Sequence, residues 1–216
     1  MDDQTDKIQK VKPLFSFDFD GVICRPPLGQ NRVLGRKLHD DELPESVRQV
    51  DAPAKGLSQK SWLRFRGFFE TIKYLGRVPM PRAYEGVVAI SQVRRLVIIT
   101  GRSFLAKEIV EAWLRKYNMA QYFIGVYPNN TDLGTRKYKL HTLRNMGITE
   151  HADDDGAISY YLANKGIQIY LRDWEQNVGL PYAQSVVHFQ NIEEIVPHLV
   201  EIDRRAAQGE TARLKN

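Results

Sequence analysis

The sequence of 216 residues contains very little cysteine, since Cys24 is its single one. One cysteine cannot form an internal disulfide and has no second thiol for a cysteine-based metal site, so we expect packing to hold the fold in a reducing compartment. Long apolar runs are also missing, because residues 96–99 fall far short of the roughly 20 residues of a membrane-spanning helix. The polar, acidic start at residues 1–4 is unlike a signal peptide. These absences predict a cytoplasmic protein without a membrane partner.

The sequence also lacks a strong charge imbalance, internal repeats and low-complexity segments. With 31 Lys and Arg against 26 Asp and Glu, its formal net charge is +5 at pH 7. Such a surplus suits an anionic substrate or a nucleic acid, although the basic residues are spread along the chain. A hydrophobic share of 43% beside a charged share of 26% is typical of globular domains and excludes disorder.

Short apolar segments alternate with segments of helical spacing along most of the chain. The pattern predicts strands at residues 14–17, 95–99, 122–126, 167–171 and 185–189. It predicts helices at residues 103–117, at residues leading to Gly147, at residues 156–165 and after Asn191, which opens a capping box with Glu194. This alternation predicts an α/β fold with a mainly parallel sheet and helices on both faces.

One region departs from that alternation. Residues 25–81 begin as a polar stretch with Pro and Gly, and continue into a helical stripe formed by Trp62, Phe65, Phe69 and Ile72. We interpret residues 25–81 as a small, mostly helical inserted subdomain, and residues 1–24 with 82–216 as the core domain.

Two carboxylates follow the first predicted strand. Asp18 and Asp20 are two residues apart and therefore point to the same side of an extended chain. Because two close anions repel, a bound divalent cation is their natural compensation. Asp18 could then attack phosphorus as a nucleophile, while Asp20 protonates the leaving oxygen and afterwards activates water.

The ends of the other strands supply what such a reaction lacks, because ligands of open α/β sheets bind outside the carboxyl ends of the strands. Thr100 and the turn at Gly101 can offer a hydroxyl and backbone N–H groups to phosphate oxygens. A lysine, Lys139 or Lys137, can bring a positive charge. Asp153 and Asp154 can complete the oxygen ligands of a cation such as Mg²⁺.

These segments together resemble the four motifs of the haloacid dehalogenase (HAD) superfamily. They are Asp18-Phe-Asp-Gly-Val22, Ile98-Ile-Thr-Gly101, Lys139 and Asp153-Asp154, in that order along the chain. The resemblance covers most of the chain outside the insert. It implies a Rossmann-like three-layer core, with an insert similar to the cap that this family places over its active site.

The resemblance also implies roles for the residues of the motifs. Asp18 corresponds to the nucleophile and Asp20 to the general acid and base, while Thr100, Gly101 and Lys139 correspond to the phosphate ligands. The resemblance implies Mg²⁺ as the cofactor, held by Asp18, the backbone carbonyl of Asp20 and the acidic motif at Asp153.

Two of these assignments, the lysine and the acidic metal ligand, have alternative residues. Lys137 competes with Lys139, which we prefer because Leu143 and Met146 follow it at a distance similar to that in the family. Which of the consecutive aspartates Asp153, Asp154 and Asp155 binds the metal is open; the apolar residue before Asp153 favours Asp153, with Asp154 second. Arg102 is either a second phosphate contact or an exposed residue, and His151 is the one histidine close to the site in sequence.

The function that these residues predict is a Mg²⁺-dependent phosphomonoester hydrolase acting through an aspartyl-phosphate on a small phosphorylated metabolite, with nucleotides as the first guess. Three alternatives remain: a nucleic-acid-end phosphatase, a nucleic-acid-binding protein and a catalytically silent binding protein of the same fold. Phosphoryl transfer and cleavage of carbon–halogen bonds are lesser alternatives. No feature of the sequence indicates the oligomeric state.

Overall fold

The computed structural model describes residues 11–26, 76–104, 106–174, 177 and 186–213, with side chains up to residue 208. The predicted insert therefore lies largely outside the described residues, as does its stripe of aromatic residues.

A single parallel sheet forms the centre of the described structure. Its strands are β1 Leu14–Phe17, β2 Arg95–Ser103, β3 Phe123–Asn129, β4 Glu150–Asp153, β5 Gln168–Arg172 and β6 Val186–Phe189. Their order is β3-β2-β1-β4-β5-β6, and every neighbouring pair runs parallel. The predicted parallel sheet is confirmed. The strand order reverses at β1, so the carboxyl ends of β1 and β4 mark the point where such sheets bind ligands.

Helices cover both faces of this sheet. They are α1 Ala83–Ser91, α2 Ala106–Lys116, α3 Thr135–Asn145, α4 Gly156–Ala163 and α5 Val196–Arg213, with short 3₁₀ turns at Ala120–Tyr122 and Ile192–Ile195. None of the helices in the described ranges combines the length and the hydropathy that crossing a bilayer requires.

Each face of the sheet has its own hydrophobic cluster, because successive side chains of a strand point to opposite sides. In β2, Leu96 and Ile98 join the cluster beneath α1, α2 and α5, whereas Val97 and Ile99 join the cluster beneath α3 and α4. All four side chains are fully buried. The predicted three-layer core is thus confirmed.

Some predicted boundaries differ from the observed ones. Strand β2 continues past the glycine turn predicted at residue 100, because β3 runs beside it through a register shift between Thr100 and Ser103. The capping box is present at Asn191, whose backbone N–H donates to Glu194 Oε1 at 3.1 Å. The α-helix itself starts only at Val196, so Pro197 lies in its first turn, where its missing N–H costs nothing.

The two ends of the segment that we interpret as an insert lie side by side in the structure. The backbone N–H of Arg25 donates to the carbonyl of Val78 at 2.9 Å, and the N–H of Met80 donates to the carbonyl of Ile23 at 2.8 Å. The chain therefore leaves and re-enters the core at one place, directly after the loop that carries Asp18 and Asp20.

Candidate active site

The site begins where β1 and β4 end. The backbone N–H of Asp18 donates to the carbonyl of Ala152 at 2.7 Å, which continues the pairing of these two strands past the end of β1. Because the bond places Asp18 next to the end of β4, the aspartates that follow Ala152 come close to it.

Three buried carboxylates meet at this point. Oxygen atoms of Asp18, Asp153 and Asp154 all lie within 4.8 Å of one another. The side chain of Asp20 is not a member of this group. The structure thus brings together three of the four predicted metal-ligating residues, while the carboxylate of Asp20 has other partners.

Helix α3 directs one lysine into this group. Lys139 is 1% exposed, and its Nζ lies 2.7 Å from Asp153 Oδ2 and 3.0 Å from Asp18 Oδ1. Lys137 is exposed on the same helix. Of the two competing lysines, only Lys139 therefore reaches the carboxylates.

The carboxylate of Asp153 accepts four hydrogen bonds. Oδ1 accepts from the backbone N–H groups of Asp154 and Asp155, at 2.9 and 3.1 Å. Oδ2 accepts from Lys139 and lies 3.1 Å from Nε2 of His151. Burial alone would raise the pKa of Asp153, but Lys139 and His151 lower it well below its ordinary value. Asp153 is therefore ionised, and its negative charge is already balanced by Lys139 and by hydrogen bonds.

His151 supports Asp153 from the interior. Its Nδ1 lies 2.8 Å from Ser16 Oγ. Since an ionised carboxylate can only accept, we assign the proton of the imidazole to Nε2, so that Nδ1 accepts from the serine hydroxyl. Burial lowers the pKa of His151 and thus favours the neutral ring. Sequence proximity had marked His151, but its contact with Asp153 follows from the strand geometry of β4.

Asp154 has a different environment from Asp153. Burial, followed by the charges of Asp18 and Asp153, raises its pKa well above the ordinary value. The turn at Gly21 packs directly against its carboxylate, and a Cβ at Gly21 would overlap it. Gly21 also has φ of +75°, a conformation that side chains other than glycine rarely adopt. A glycine at this position therefore makes room for the carboxylate.

The third aspartate, Asp155, has a structural role as a helix cap. Asp155 caps helix α4, because its Oδ1 accepts from the backbone N–H groups of Ala157 and Ile158 at 2.9 and 3.1 Å. Capping of this kind stabilises helix N-termini. The three consecutive aspartates thus occupy three distinct environments.

Asp18 has more negative than positive charge around it. Its burial raises its pKa, Lys139 lowers it, and the charges of Asp153 and Asp20 raise it, so that the pKa reaches about 7. The ionised forms of Asp18 and Asp154 are therefore both energetically unfavourable in the folded protein. A hard divalent cation, which prefers carboxylate oxygens, would remove that cost.

Two arginines hold the carboxylate of Asp20. Arg77 Nη1 lies 2.5 Å from Oδ1, and Arg102 Nε lies 2.5 Å from Oδ2. Burial on its own raises the pKa of Asp20, but the two guanidinium groups lower it below the ordinary value. Sequence reasoning missed Arg77, since 57 residues separate it from Asp20 and no local pattern marks it. Arg102 had been considered for a phosphate contact, and the structure pairs it with Asp20.

Thr100 and Gly101 lie at the same edge of the sheet. Thr100 follows two residues after Ile98, which pairs with Phe17 of β1, and its side chain is buried. Its Oγ1 lies 3.4 Å from the backbone N–H donor of Arg102. Gly101 lies so close to the start of α3 that a Cβ would overlap Thr135. Both residues thus lie inside β2, which runs on to Ser103 instead of ending at residue 100, and they directly precede Arg102, the partner of Asp20.

Solved structures with the same fold were found by comparison. CbbY from Rhodobacter sphaeroides, in complex with phosphate, matches with a TM-score of 0.57 at 12% identity, over 86% of this chain and 96% of that chain. A HAD-superfamily hydrolase of subfamily IA from Geobacter sulfurreducens matches with 0.53 at 17% identity, over 87% and 96%. A 2-haloacid dehalogenase from Pseudomonas syringae matches with 0.51 at 14% identity, over 88% and 99%.

No family model and no curated protein matches the sequence. The structural matches nevertheless agree with one another, and the fold of this protein is HAD-like. Because the same fold belongs to a dehalogenase and to a protein with bound phosphate, fold alone leaves the reaction to be argued from the site.

Proposed function

We propose that this protein is a HAD-like hydrolase that cleaves phosphomonoesters of small metabolites with Mg²⁺ as its cofactor. The observation that carries the proposal is the position of Asp18. It lies 3.0 Å from the amine of Lys139 and within 4.8 Å of two further buried carboxylates, at the carboxyl ends of β1 and β4. A nucleophile, a cation site and a positive charge are thus combined at one point.

The carboxylates fit a divalent cation, because the raised pKa of Asp18 and of Asp154 reflects unbalanced negative charge. Asp18 and Asp154 are the side chains that we assign as ligands, together with the backbone carbonyl of Asp20. Held by these residues, such an ion would withdraw charge from phosphoryl oxygens and orient the substrate.

Asp153 is better explained as the partner of Lys139 than as a direct ligand. Its two oxygens already accept four hydrogen bonds, so coordinating the cation would break at least one of them. This proposal reverses the order of preference that the sequence gave to Asp153 and Asp154. Asp153 then acts by holding the amine of Lys139 beside Asp18.

The chain's own residues supply the chemical steps. A carboxylate oxygen of Asp18 attacks phosphorus, and the bond from phosphorus to the ester oxygen breaks. Asp20 takes up a proton from solvent, gives it to the departing oxygen, and later takes one from the water that cleaves the aspartyl-phosphate. Inorganic phosphate leaves and Asp18 is regenerated. Lys139, the Thr100 hydroxyl and the backbone N–H of Gly101 bind the phosphoryl oxygens through both steps.

Phosphate chemistry is favoured over cleavage of a carbon–halogen bond by two features. Halide leaves as an anion and needs no proton, whereas an alkoxide leaving group benefits from a proton donor such as Asp20. The buried carboxylates suit a cation that neutralises the charge of a phosphoryl group. Phosphate esters therefore use the whole site, whereas a haloacid would use only part of it.

Phosphate release from a panel of phosphomonoesters, including nucleotides and sugar phosphates, tests the proposal. The wild type is assayed with Mg²⁺, with EDTA, and with Mg²⁺ restored after EDTA, and Asp18→Asn is assayed beside it. We expect release that depends on Mg²⁺ and is lost in Asp18→Asn, while circular dichroism shows the variant folded. Release that survives EDTA or persists in folded Asp18→Asn would contradict the mechanism.

A further inference from the structure

Strands β4 and β5 stop pairing with each other just before the proposed cation ligand Asp154. Their last paired residues are Asp153 and Leu171. The next residue of each strand, Asp154 and Arg172, is buried, and its backbone carbonyl lies where the regular pairing ends. A buried carbonyl without a strand partner needs a hydrogen bond from another group, because leaving it unsatisfied costs free energy.

The side chain of Asn177 donates to both of these carbonyls. Its Nδ2 lies 3.2 Å from the carbonyl oxygen of Asp154 and 3.1 Å from that of Arg172. A side-chain amide has two N–H donors, and a backbone carbonyl can only accept, so the NH₂ group makes both bonds. Asn177 therefore joins the ends of the two strands where their backbone pairing stops.

The amide of Asn177 is itself held in place. The residue is 3% exposed, and its backbone N–H donates to the carbonyl of Trp174 at 2.9 Å. Trp174 packs against the hydrophobic cluster beneath α1, α2 and α5. Burial and the bond to Trp174 thus orient the side chain of Asn177 toward the strand ends.

Several contacts determine where Asp154 lies. Its backbone N–H donates to Asp153 Oδ1 at 2.9 Å, and its carboxylate packs against the turn at Gly21. Its carbonyl accepts from Asn177. An oxygen ligand has to lie within about 0.2 Å of the distance that its cation prefers. Because the direction of a side chain depends on how its own backbone is held, the bond from Asn177 contributes to the placement of the Asp154 carboxylate.

We propose that Asn177 is a positioning residue for the divalent cation and acts by holding the backbone carbonyl of Asp154. The inference rests on the proposed function, in which Asp154 is a ligand of that cation. In this role Asn177 raises the affinity for Mg²⁺, and the chemical steps belong to other residues. Groups that orient a metal ligand in this way contribute roughly 10- to 100-fold to metal affinity.

Two substitutions of Asn177 test the inference by calorimetric titration with Mg²⁺. Asn177→Ala removes the amide and leaves space, whereas Asn177→Leu fills that space without a donor. We expect the Kd for Mg²⁺ to rise by roughly tenfold or more in both variants. Asn129→Ala is the matched control, because Asn129 Nδ2 also donates to a backbone carbonyl, that of Leu133 at 2.7 Å, at the end of the edge strand β3. Its Kd should equal that of wild type.

The Mg²⁺ dependence of phosphate release separates a positioning role from a merely structural one. In Asn177→Ala the Mg²⁺ concentration for half-maximal rate should rise together with the Kd. At saturating Mg²⁺, kcat should return close to the wild-type value, because the groups that carry out the chemistry are unchanged. Circular dichroism at the assay temperature shows whether each variant is folded.

Three results would overturn the inference while the proposed function stands. One is a folded Asn177→Ala variant that binds Mg²⁺ as tightly as wild type. Another is a loss of kcat that saturating Mg²⁺ does not restore. The third is that both variants stay unfolded even in excess Mg²⁺, since Asn177 would then hold the fold rather than the ligand.

If the wild type releases phosphate from no ester, the proposed function fails and the titration decides the inference separately. It is supported when wild type binds Mg²⁺ and both Asn177 variants bind it more weakly than Asn129→Ala does. A wild type that binds no Mg²⁺, or variants with the affinity of wild type, would overturn it.

Discussion

Lys139 Nζ lies 2.7 Å from Asp153 Oδ2 in an ion pair of which both side chains are only 1% exposed. Burial alone would lower the pKa of the lysine, but the charges of Asp153 and Asp18 raise it above its ordinary value. The amine thus remains charged at any working pH. Its positive charge lies beside two carboxylates. Asp153 has other hydrogen-bond donors that stabilise its negative charge, whereas the surroundings of Asp18 do not balance its negative charge.

Replacing Lys139 by Met should therefore remove both stability and turnover. The buried carboxylates of Asp18 and Asp153 lose the positive charge of the lysine, and breaking a buried ion pair costs about 3 kcal/mol or more. Loss of a phosphoryl contact should lower kcat by roughly 100-fold. Urea unfolding in EDTA and phosphate release with Mg²⁺ measure the two effects. Lys137→Met is the matched control from the same helix, and equal effects of the two substitutions would contradict this assignment.

The sequence predicted the parts of this molecule that depend on local patterns. Strand β1 was predicted with its observed bounds, and residues 95–99 were predicted as a strand, which is the first part of β2. Helix α1 was missed, because Gly86 and the β-branched Val87, Val88 and Ile90 give it low helix propensity and its stability comes from packing.

Long-range partners in the site could not be predicted in the same way. The strand-end rule placed Asp18, Lys139 and the consecutive aspartates at one edge of the sheet, and the structure groups them there. The pairing of Arg77 with Asp20 depends on where the chain re-enters the core beside Arg25. The distinct environments of Asp153 and Asp154 depend on backbone direction at a single turn, which sequence spacing does not specify.

Exchange of the two neighbouring aspartates for asparagine should separate their roles. Asp154→Asn removes a buried carboxyl group whose ionised form is disfavoured by anionic neighbours, so we expect a higher free energy of unfolding in EDTA. As the loss of a direct ligand it should also lower the affinity for Mg²⁺ by more than about 100-fold, beyond the effect of residues that only support a ligand. Asp153→Asn removes the partner of Lys139, so we expect a lower free energy of unfolding and a loss of affinity of about tenfold, as for residues that support a ligand.

Chemical unfolding in EDTA and calorimetric titration with Mg²⁺ measure these quantities. The opposite signs of the two stability changes make the comparison sharp. If Asp153→Asn weakened Mg²⁺ binding more than Asp154→Asn, Asp153 would be the direct ligand, as the sequence had favoured.

Substitution of Gly21 by Ala should damage the cation site. Gly21 and Gly76 have almost the same φ, +75° and +74°, so alanine at either position bears the same backbone strain of about 1 kcal/mol. Among the described residues, no atom lies within 4 Å of a Cβ placed at Gly76, whereas one at Gly21 overlaps the Asp154 carboxylate. We expect Gly21→Ala to lose roughly 1 to 3 kcal/mol more stability than Gly76→Ala.

Only Gly21→Ala should also weaken Mg²⁺ binding, because the displaced carboxylate is one of the proposed ligands. Thermal unfolding and calorimetric titration of both variants check this expectation. Equal stability losses, or an unchanged Mg²⁺ affinity in Gly21→Ala, would show that the turn does not shape the site.

The pH dependence of stability without metal follows from the same carboxylates. Burial raises the pKa of Asp18 from 3.8 to about 7, and the pKa of Asp154 is raised as well. Between about pH 4 and about pH 7 the folded protein holds protons on these carboxylates that the unfolded chain has already released. This protonation contributes its full stabilisation below about pH 4, and the contribution is lost as the pH rises through about 7. Asp153, with its lowered pKa, acts in the opposite direction only in stronger acid.

In EDTA the melting temperature should therefore fall by several degrees between pH 5.5 and pH 8, which corresponds to roughly 1 to 3 kcal/mol. If Mg²⁺ binds Asp18 as proposed, it competes there with the proton and should raise the melting temperature more at pH 8 than at pH 5.5. Differential scanning fluorimetry with and without Mg²⁺ measures both trends. Asp18→Asn should flatten the profile in EDTA, and a wild type and variant with identical profiles would mean that Asp18 does not carry the excess charge.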